Sequence, residues 1–342
     1  MNAVKPMMII ILATALIILM IPAILVLPFS KETENRQLAE NLEPAKKPPA
    51  AVKTNVPTLD VAVYRHAEQQ IEDVPIEDYV RGVVSAEMPA DFEPEALKAQ
   101  ALTARTYIVK QLLGKNAKAA PAGANVTDTE SHQVYKNDKE LKKLWGSDYS
   151  WKIKRIETAV EATKGQILIY NSEPIEATFF STSNGYTENS EDYWPNKIPY
   201  LKSVSSPWDK QSPKYYSQKI MSLTDFQNKL GVRLSSKAAI GTITAKTAGQ
   251  RVAKVQIGGK ELTGKQIREK LGLRSSDFSW IRKGDQIVIY TKGFGHGVGM
   301  SQYGANGMAR EGKNYKDIVT HYYKGVQIAA DDSYLSKITV KK

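Results

Sequence analysis

The segment best suited to acid–base chemistry is the helix end that carries Glu87. Val84 and Met88 flank this carboxylate, and Met88-Pro89 ends the predicted helix. A helix C-terminus disfavours negative charge and apolar neighbours desolvate it, so both effects raise the pKa of a carboxyl group. A carboxyl group that stays protonated near neutral pH can act as a general acid. The alternative is an exposed glutamate that only terminates a helix.

A glycine-rich loop between a predicted strand and a predicted helix presents His296. Glycine occupies alternate positions in the run GFGHGVGMS at residues 293–301. The run does not fit a phosphate-binding GxGxxG loop, because that spacing needs glycine where Val298 or Met300 stands. The pattern instead predicts unusual dihedral angles or close backbone approaches. His296 is then either a ligand-contacting residue or a histidine held in a structural turn.

A third polar cluster, FFSTSNGY at residues 179–186, stands where a predicted strand ends. Ser183 and Asn184 within it could hydrogen-bond a sugar, or the cluster could simply end the strand in a turn. No aspartate–histidine pair accompanies these serines at a recognised spacing, which argues against a serine hydrolase.

The composition of the 342-residue chain excludes several classes of site. Cysteine is absent, so disulfides, cysteine nucleophiles and thiolate metal sites are excluded. With only four histidines, a histidine-rich metal cage is not expected. The net charge of +11 favours polyanionic partners such as nucleic acid, anionic lipid or acidic cell-wall polymers. The 42% of hydrophobic residues suffices for a folded core.

The N-terminal part of the chain predicts a membrane anchor and a tether. After a short tail at residues 1–6, residues 7–29 carry no charge and span about 34 Å as a helix, enough to cross a bilayer. Residues 30–58 are rich in Pro, Ala and Lys and predict a semi-extended spacer. A cleaved signal peptide is the alternative, although such peptides have shorter apolar runs. Lysines flank both ends of the run, so charge alone does not orient it.

Residues 59–342 predict one mixed α+β domain. Hydrophobic spacing and capping signals predict helices at about 75–87, 94–113, 150–163, 222–230, 301–311 and 315–323. They predict strands at 59–65, 166–170, 173–181, 242–246, 251–257 and 286–290, and an exposed loop at 114–130. Turns at Asn171-Ser172 and Ala248-Gly249 join two hairpins. Because helices and strands cluster rather than alternate, the pattern favours an α+β fold over a doubly wound sheet.

Two long motifs resemble those of the stage II sporulation protein D family. The first is VVSAEMPADFEPEALKAQALTARTY at residues 83–107. The second is GHGVGMSQYGA at residues 295–305, followed by HYYKG at residues 321–325. The resemblance spans about residues 60–330. The predicted N-terminal anchor is similar to that of the family's sporulation members and not to its secreted amidase enhancers.

The resemblance implies a peptidoglycan lytic transglycosylase that acts during engulfment in endospore formation. Such an enzyme cleaves the bond between N-acetylmuramic acid and N-acetylglucosamine and leaves a 1,6-anhydromuramoyl end. The resemblance also implies a single-pass cell-membrane protein whose C-terminal domain is extracytoplasmic. Its implied partners are stage II sporulation proteins P, an amidase, and M, a membrane protein. No cofactor is implied, and the zinc site that some relatives build from Cys and His is not expected in this cysteine-free chain.

Residue by residue, the family's catalytic acid falls on Glu87. Arg105, in the next predicted helix, could orient a sugar or pair with Glu87, and a tight pair would lower the pKa of the glutamate. The residues that match polar cleft residues of the family are Arg105, Tyr200 and Lys202. Four more candidates for substrate binding are plausible by position: Ser183, Asn184, Asp209 and His296.

Two other functions compete with glycan cleavage. In the first, the domain binds peptidoglycan without cutting it and activates a partner amidase, as the family's amidase enhancers suggest. In the second, the basic domain binds nucleic acid. The second lacks a recognised motif, and a translocated domain rarely meets nucleic acid. We therefore expect glycan strands, and not nucleic acid, as the partner of this domain.

Overall fold

The computed structural model describes residues 59–114, 117–234 and 240–339. The strands are β1 (Asp60–Arg65), β2 (Gln70–Pro75), β3 (Val126–Thr127), β4 (Gln166–Tyr170), β5 (Glu173–Pro174), β6 (Phe179–Phe180), β7 (Tyr216–Ser222), β8 (Thr242–Lys246), β9 (Val252–Ile257), β10 (Lys260–Thr263), β11 (Phe278–Lys283), β12 (Gln286–Lys292), β13 (Met300–Ser301) and β14 (Gln327–Ala330). The helices are α1 (Ile76–Glu87), α2 (Pro94–Leu113), α3 (Asp138–Trp145), α4 (Tyr149–Ala162), α5 (Ser190–Tyr193), α6 (Leu223–Leu230), α7 (Gly264–Leu271), α8 (Gln302–Arg310), α9 (Tyr315–Tyr322) and α10 (Asp332–Thr339). Single 3₁₀ turns lie at Gly146–Asp148 and Pro207–Gln211. The fold is thus mixed α+β, as the sequence predicts.

The predicted anchor and tether, residues 7–29 and 30–58, lie outside the described residues. Among the helices that the structure describes, none combines the length and the apolar character needed to cross a membrane.

Helix α2 is the centre of the main hydrophobic core. Pro94 occupies its first position, and Gly114 ends it in the left-handed conformation, so both ends lie where the sequence predicts them. The helix packs against α1, α4, α8 and β4. Helix α1 ends at Glu87 because Met88, which precedes Pro89, is extended. The first and second motif helices are therefore fixed by one core.

The described residues form five small sheets. Strand β1 pairs antiparallel with β2 and parallel with β3, β4 lies between β14 and β5, and β6 pairs in parallel with β13. The last pairing aligns Phe179 with Met300 and Phe180 with Ser301, so it joins two segments far apart in the chain. It brings the glycine-rich loop next to the polar cluster at residues 179–186.

Residues 216–292 contain a second, smaller hydrophobic core, and we call this segment the lobe. Its sheets β11-β12-β7 and β10-β9-β8 enclose apolar side chains that include Phe226, Val255 and Ile289. Arg251 in the lobe forms a buried ion pair with Glu188, with Nη1 and Oε1 3.1 Å apart. The predicted single domain therefore contains two cores, joined here by a buried charge pair.

One predicted strand is wrong in its extent, and one predicted loop is partly wrong. The hairpin turn at Asn171-Ser172 is confirmed, but the second strand stops at Pro174 instead of running to Ser181. Beyond Pro174 one more hydrogen bond joins the two segments, from the Ile175 N–H to the Leu168 carbonyl, and the Glu176 N–H then donates to the Tyr200 hydroxyl. The loop at 114–130 contains β3, whose Val126 is fully buried against β1.

Candidate active site

Glu87 lies in an open cleft of about 450 Å³ at the C-terminal end of α1. The turn after α1 forms one wall of the cleft. The opposite wall contains the indole rings of Trp145, at the end of α3, and Trp151, near the start of α4. Lys152, whose ammonium pairs with Asp148 at 3.0 Å, and Lys214 also line the cleft. Trp151 is 44% exposed, although a large aromatic side chain is normally buried. The cleft thus combines two carboxyl groups (Glu87 and Asp91), two tryptophans (Trp145 and Trp151) and two lysines.

The carboxyl group of Glu87 is held in a form suited to proton transfer. Its Oε1 accepts a hydrogen bond from the backbone N–H of Val134 at 3.0 Å. Burial raises the pKa of Glu87 to about 7, the hydrogen bond from Val134 opposes the rise, and the nearby Glu130 carboxylate adds to it. A group with this pKa is present in both protonation states at neutral pH. The direction of this shift agrees with the prediction from the sequence, and desolvation, one of the two predicted causes, is its main cause.

The second motif contacts the first through helix α8. Gln302 donates from Nε2 to the carbonyl oxygen of Glu87 at 3.0 Å. One turn later, Asn306 accepts the backbone N–H of Glu93 at 2.8 Å, and the Tyr303 ring packs edge-on against Phe92. These contacts hold the turn after α1 in place. They explain why the two motifs act as one structural unit although they lie near opposite ends of the folded domain's sequence.

The glycine-rich loop is a close-packed turn, as the alternate glycines predict. Gly293, Gly295, Gly297 and Gly299 all have positive φ, between 82° and 118°. A Cβ on Gly299 would collide with the carbonyl oxygen of Thr178, and one on Gly295 would lie 2.7 Å from Cβ of Phe180. Only glycine meets both demands, so the loop can pass directly over β6.

His296 is held in an aromatic cage formed by Phe180, Tyr193 and Trp194, with ring centroids 5.2–5.7 Å away. Its Nδ1 accepts the backbone N–H of Val298 at 3.1 Å. Burial, assisted by nearby arginines, lowers the pKa of His296 to about 3. The imidazole is therefore neutral near pH 7, with Nδ1 as an acceptor and the hydrogen on the other ring nitrogen.

Ser183 and Asp209 belong to a buried network and not to the surface of the Glu87 cleft. The Asp209 carboxylate accepts hydrogen bonds from the Ser183 N–H and from the hydroxyls of Ser183, Ser206 and Ser301. The Ser206 hydroxyl also bonds to that of Tyr322 at 2.7 Å. Burial raises the pKa of Asp209, and the four hydrogen bonds oppose the rise. The network ties four separate segments together, which is a structural role.

Gly304 packs against this network, and its replacement by alanine is expected to destabilise the fold. Helix propensity alone favours alanine by about 1 kcal/mol. A Cβ at this position, however, would collide with the hydroxyls of Tyr322 and Ser206 and lie 2.8 Å from the Asp209 carboxylate. Overpacking typically costs about 1–3 kcal/mol, so we expect a net loss of stability in urea denaturation. The exposed Arg310→Ala change in the same helix is the control, and a stabilised Gly304→Ala variant would contradict this packing.

Arg105 does not reach Glu87 in the structure. It is fully buried and forms a bidentate pair with Glu77 near the start of α1, with Nε–Oε1 and Nη2–Oε2 distances of 2.8 and 2.7 Å. Its Nη1 donates to the carbonyl oxygen of Thr163 at 2.8 Å. Glu77 precedes Glu87 by nearly three helical turns, about 15 Å along the helix. These contacts indicate a structural tie between helices, and they do not support the predicted contact with substrate.

The remaining candidates also lie apart from Glu87. Lys202 pairs with Glu191 at 2.7 Å on the surface. Asn184 donates to Asp277 at 2.9 Å and so links the polar cluster to the lobe. Tyr200 lines a separate cleft of about 580 Å³. Within the described part of the chain, no hydrogen bond or ion pair joins any of the seven substrate-binding candidates to the Glu87 side chain. Contact of Tyr200, Lys202 and His296 with substrate stays a prediction.

Sequence reasoning missed most of the side chains around Glu87. Gln302 lies inside a recognised motif, but its partner belongs to the other motif, far away in the chain. The Val134 N–H comes from a loop with no chemical signal of its own. The one usable signal was Trp145 and Trp151, two of only five tryptophans, which lie close together beside a glycine.

The carboxyl and imidazole groups do not converge on a metal. Among the described residues, no group of three or more His, Cys, Asp or Glu side chains is placed to hold a metal ion.

Comparison with known proteins agrees with the motifs. The family SpoIID, stage II sporulation protein, matches residues 64–170. Stage II sporulation protein D of Bacillus subtilis (strain 168) is 54% identical over 332 residues, which cover 95% of this chain and 96% of that protein. The protein of the same name from Bacillus amyloliquefaciens is 53% identical over 99% of this chain and 100% of its own length. The amidase enhancer of B. subtilis is 31% identical over 73% of this chain and 40% of its own. On these identities, the chain belongs to the stage II sporulation protein D family.

Proposed function

We propose that this chain is a lytic transglycosylase that cleaves the MurNAc–GlcNAc bond of peptidoglycan, with Glu87 as its acid and base. The observation that carries the proposal is the position of Glu87, whose pKa is raised to about 7, in an open cleft with two indole rings. Pockets for uncharged ring-shaped ligands combine aromatic walls with a few placed polar groups. Lys214, at the edge of the same cleft, suits a polymer that carries carboxylates and phosphates.

One carboxyl group is sufficient for this reaction. Most glycoside hydrolases use two, one as acid and one as nucleophile or base. Here protonated Glu87 donates its proton to the glycosidic oxygen as the bond to muramoyl C1 breaks. The muramoyl C6 hydroxyl bonds to C1, and the Glu87 carboxylate takes the hydroxyl proton. No water is consumed, the product is a 1,6-anhydromuramoyl end, and Glu87 regains its proton for the next cycle.

The setting of this activity is part of the proposal. The relatives' name places it in sporulation, and we propose the engulfment stage of endospore formation. Residues 7–29 would anchor the chain in the cell membrane and residues 30–58 would tether the domain on the extracytoplasmic side. Stage II sporulation proteins P and M are the proposed partners, the first as the amidase and the second as a membrane protein.

The second candidate function is activation of an amidase without glycan cleavage. It is favoured by the similarity to a protein named amidase enhancer. In this role the cleft would hold a glycan strand, and Glu87 would contribute hydrogen bonds instead of a proton.

Mass spectrometry of the reaction products is expected to separate these functions. The full-length chain is incubated with glycan strands, with and without prior amidase treatment. We expect products that end in 1,6-anhydromuramic acid. Reducing ends would mean hydrolysis and would require a second carboxyl group, for which Asp91 in the cleft wall is the first candidate. Intact strands together with faster peptide release by an added amidase would establish the activator instead.

A further inference from the structure

A second cleft, of about 580 Å³, lies beside the aromatic cage of His296. It is lined by Tyr107 and Lys110 from α2, by Lys118, and by Glu176, Trp194 and Tyr200. We propose that this cleft binds a sugar unit that carries a free carboxylate, at a position on the glycan strand removed from the bond that is cut. This inference rests on the proposed function, since it assigns a part of the same substrate to a second site.

The charges in the second cleft favour an anion. Lys110 is paired with Glu176, with Nζ and Oε2 3.1 Å apart, so these two charges compensate each other. Lys118 lies with its ammonium 5.7 Å from the ring centroid of Tyr107 and donates to the Ser131 carbonyl at 3.3 Å. An ammonium has three N–H donors, and this contact uses one. Among the described residues that line the cleft, Lys118 therefore supplies the net positive charge.

Tyr107 supplies the second argument for a bound acceptor. Its side chain is buried, being only 8% exposed, and within the described residues its hydroxyl has no hydrogen-bond partner. Burial and the Glu176 carboxylate raise the pKa of Tyr107, so the hydroxyl stays protonated and remains a donor. Buried polar groups are nearly always paired, and an orphaned one calls for a ligand or water. A carboxylate oxygen is the acceptor that a phenol beside an ammonium would bind best.

The aromatic side of the cleft suits the apolar face of a sugar ring. Trp194 is partly exposed, and its indole is fixed from behind by Tyr193 and His296, with centroids 5.4 and 5.2 Å away. Tyr200 is buried, and its hydroxyl already accepts the Glu176 N–H at 2.7 Å. It therefore serves as a rigid part of the wall. The neutral imidazole of His296 therefore helps to position Trp194.

Contacts within the fold connect the second cleft to Glu87, because Lys118 donates to the Ser131 carbonyl and the Val134 N–H, three residues further on, donates to the Glu87 carboxylate. The amide of Gln302 contacts both the Glu87 carbonyl and, at 3.5 Å, Oε1 of Gln100 on α2. Tyr107 follows Gln100 by two helical turns, so it projects from the same face of α2 about 10 Å further along the axis. Neighbouring sugars of one glycan strand could occupy both clefts.

Peptidoglycan offers such a carboxylate from two sources. A muramoyl residue without its peptide exposes the lactyl carboxylate, whereas an intact muramoyl residue carries carboxylates on its peptide. The shared chemistry is a carboxylate linked to an N-acetylated sugar ring. The two sources differ in how far the carboxylate lies from the ring, so soluble fragments of each kind distinguish them.

Calorimetric titration of the full-length chain with soluble fragments tests the inference. The Glu87→Gln background keeps the fragments intact. We expect peptide-free or peptide-bearing muramoyl fragments to bind about tenfold more tightly than chitotetraose, which has no carboxylate. Tyr107→Phe and Lys118→Met should each weaken the preferred fragment by about tenfold and leave chitotetraose unchanged. Whichever muramoyl fragment binds more tightly identifies the source of the carboxylate.

The controls are Tyr64→Phe and Lys164→Met, which remove the same groups elsewhere on the surface. Tyr107→Phe removes an unpartnered atom, so its thermal midpoint should match that of the parent. Equal binding of chitotetraose, or unchanged affinities in both cleft variants, would overturn the inference. Because binding is measured without cleavage, a wild-type chain that fails to cleave glycan would refute the proposed function alone. A chain that cleaves glycan but does not prefer the carboxylate would refute only the second cleft.

Discussion

Replacement of Glu87 by glutamine is expected to lower the rate of glycan cleavage by about 10²–10⁴-fold, the usual contribution of a general acid and base. Glutamine has the same shape and can still accept the hydrogen bond from the Val134 N–H, which is 3.0 Å from Oε1 in the parent. It cannot give a proton to the glycosidic oxygen. The measurement is the initial rate at which anhydromuramoyl ends form. Glu161→Gln, at an exposed position on α4, is the matched control.

The pH dependence of the cleavage rate tests the same role of Glu87. Because the pKa of Glu87 is about 7, the acid form is lost as the pH rises, and the rate should fall above about pH 7. The raised pKa also means that the native state binds the proton more tightly than the unfolded chain. Between the ordinary pKa of 4.5 and about 7, the contribution of Glu87 to stability should therefore fall with rising pH, and Glu87→Gln should remove this contribution. A Glu87→Gln variant that cleaves glycan at the parent rate would exclude Glu87 as the acid and would favour the activator.

Replacement of Arg105 by alanine is expected to destabilise the fold by about 3–5 kcal/mol, the usual result of removing one partner of a buried ion pair. The change removes the bidentate donor of the Glu77 carboxylate, and it leaves the Thr163 carbonyl with the Gln166 N–H but without its guanidinium donor. We expect activity to be lost because the native state is depopulated and not because substrate binding weakens. Urea denaturation measures the loss directly.

A double variant separates this structural role from a substrate contact. Replacing both members of the pair, as Arg105→Met with Glu77→Gln, removes the uncompensated charge and should recover much of the stability. Arg310→Ala, whose guanidinium is largely exposed, is the control and should change stability by less than about 1 kcal/mol. If Arg105→Ala kept full stability while it lowered activity, Arg105 would be a substrate-binding residue, as the resemblance implies.

Local signals in the sequence determined the elements that carry the candidate acid. Pro94 and Gly114 set the ends of α2, and Met88-Pro89 set the end of α1, because proline and glycine act on the dihedral angles of their immediate neighbours. The helix end and the apolar neighbours of Glu87 pointed to the direction of its pKa shift, but the burial that is the main cause of the shift comes from packing. The alternate glycines likewise predicted a close-packed loop.

The tertiary structure decided which side chains meet. Arg105 pairs with Glu77 and not with Glu87. The Asp209 carboxylate accepts hydrogen bonds from a network of serines. Tyr200 lies in a different cleft from Glu87. Each outcome depends on segments that are far apart in the chain and come together only when the core packs. The type of a side chain determines which reactions it can take part in. Its burial and its hydrogen-bond partners determine whether it can contact a substrate. For this chain, the candidate acid Glu87 was identified from its neighbours in sequence, whereas the surfaces around it come from packing.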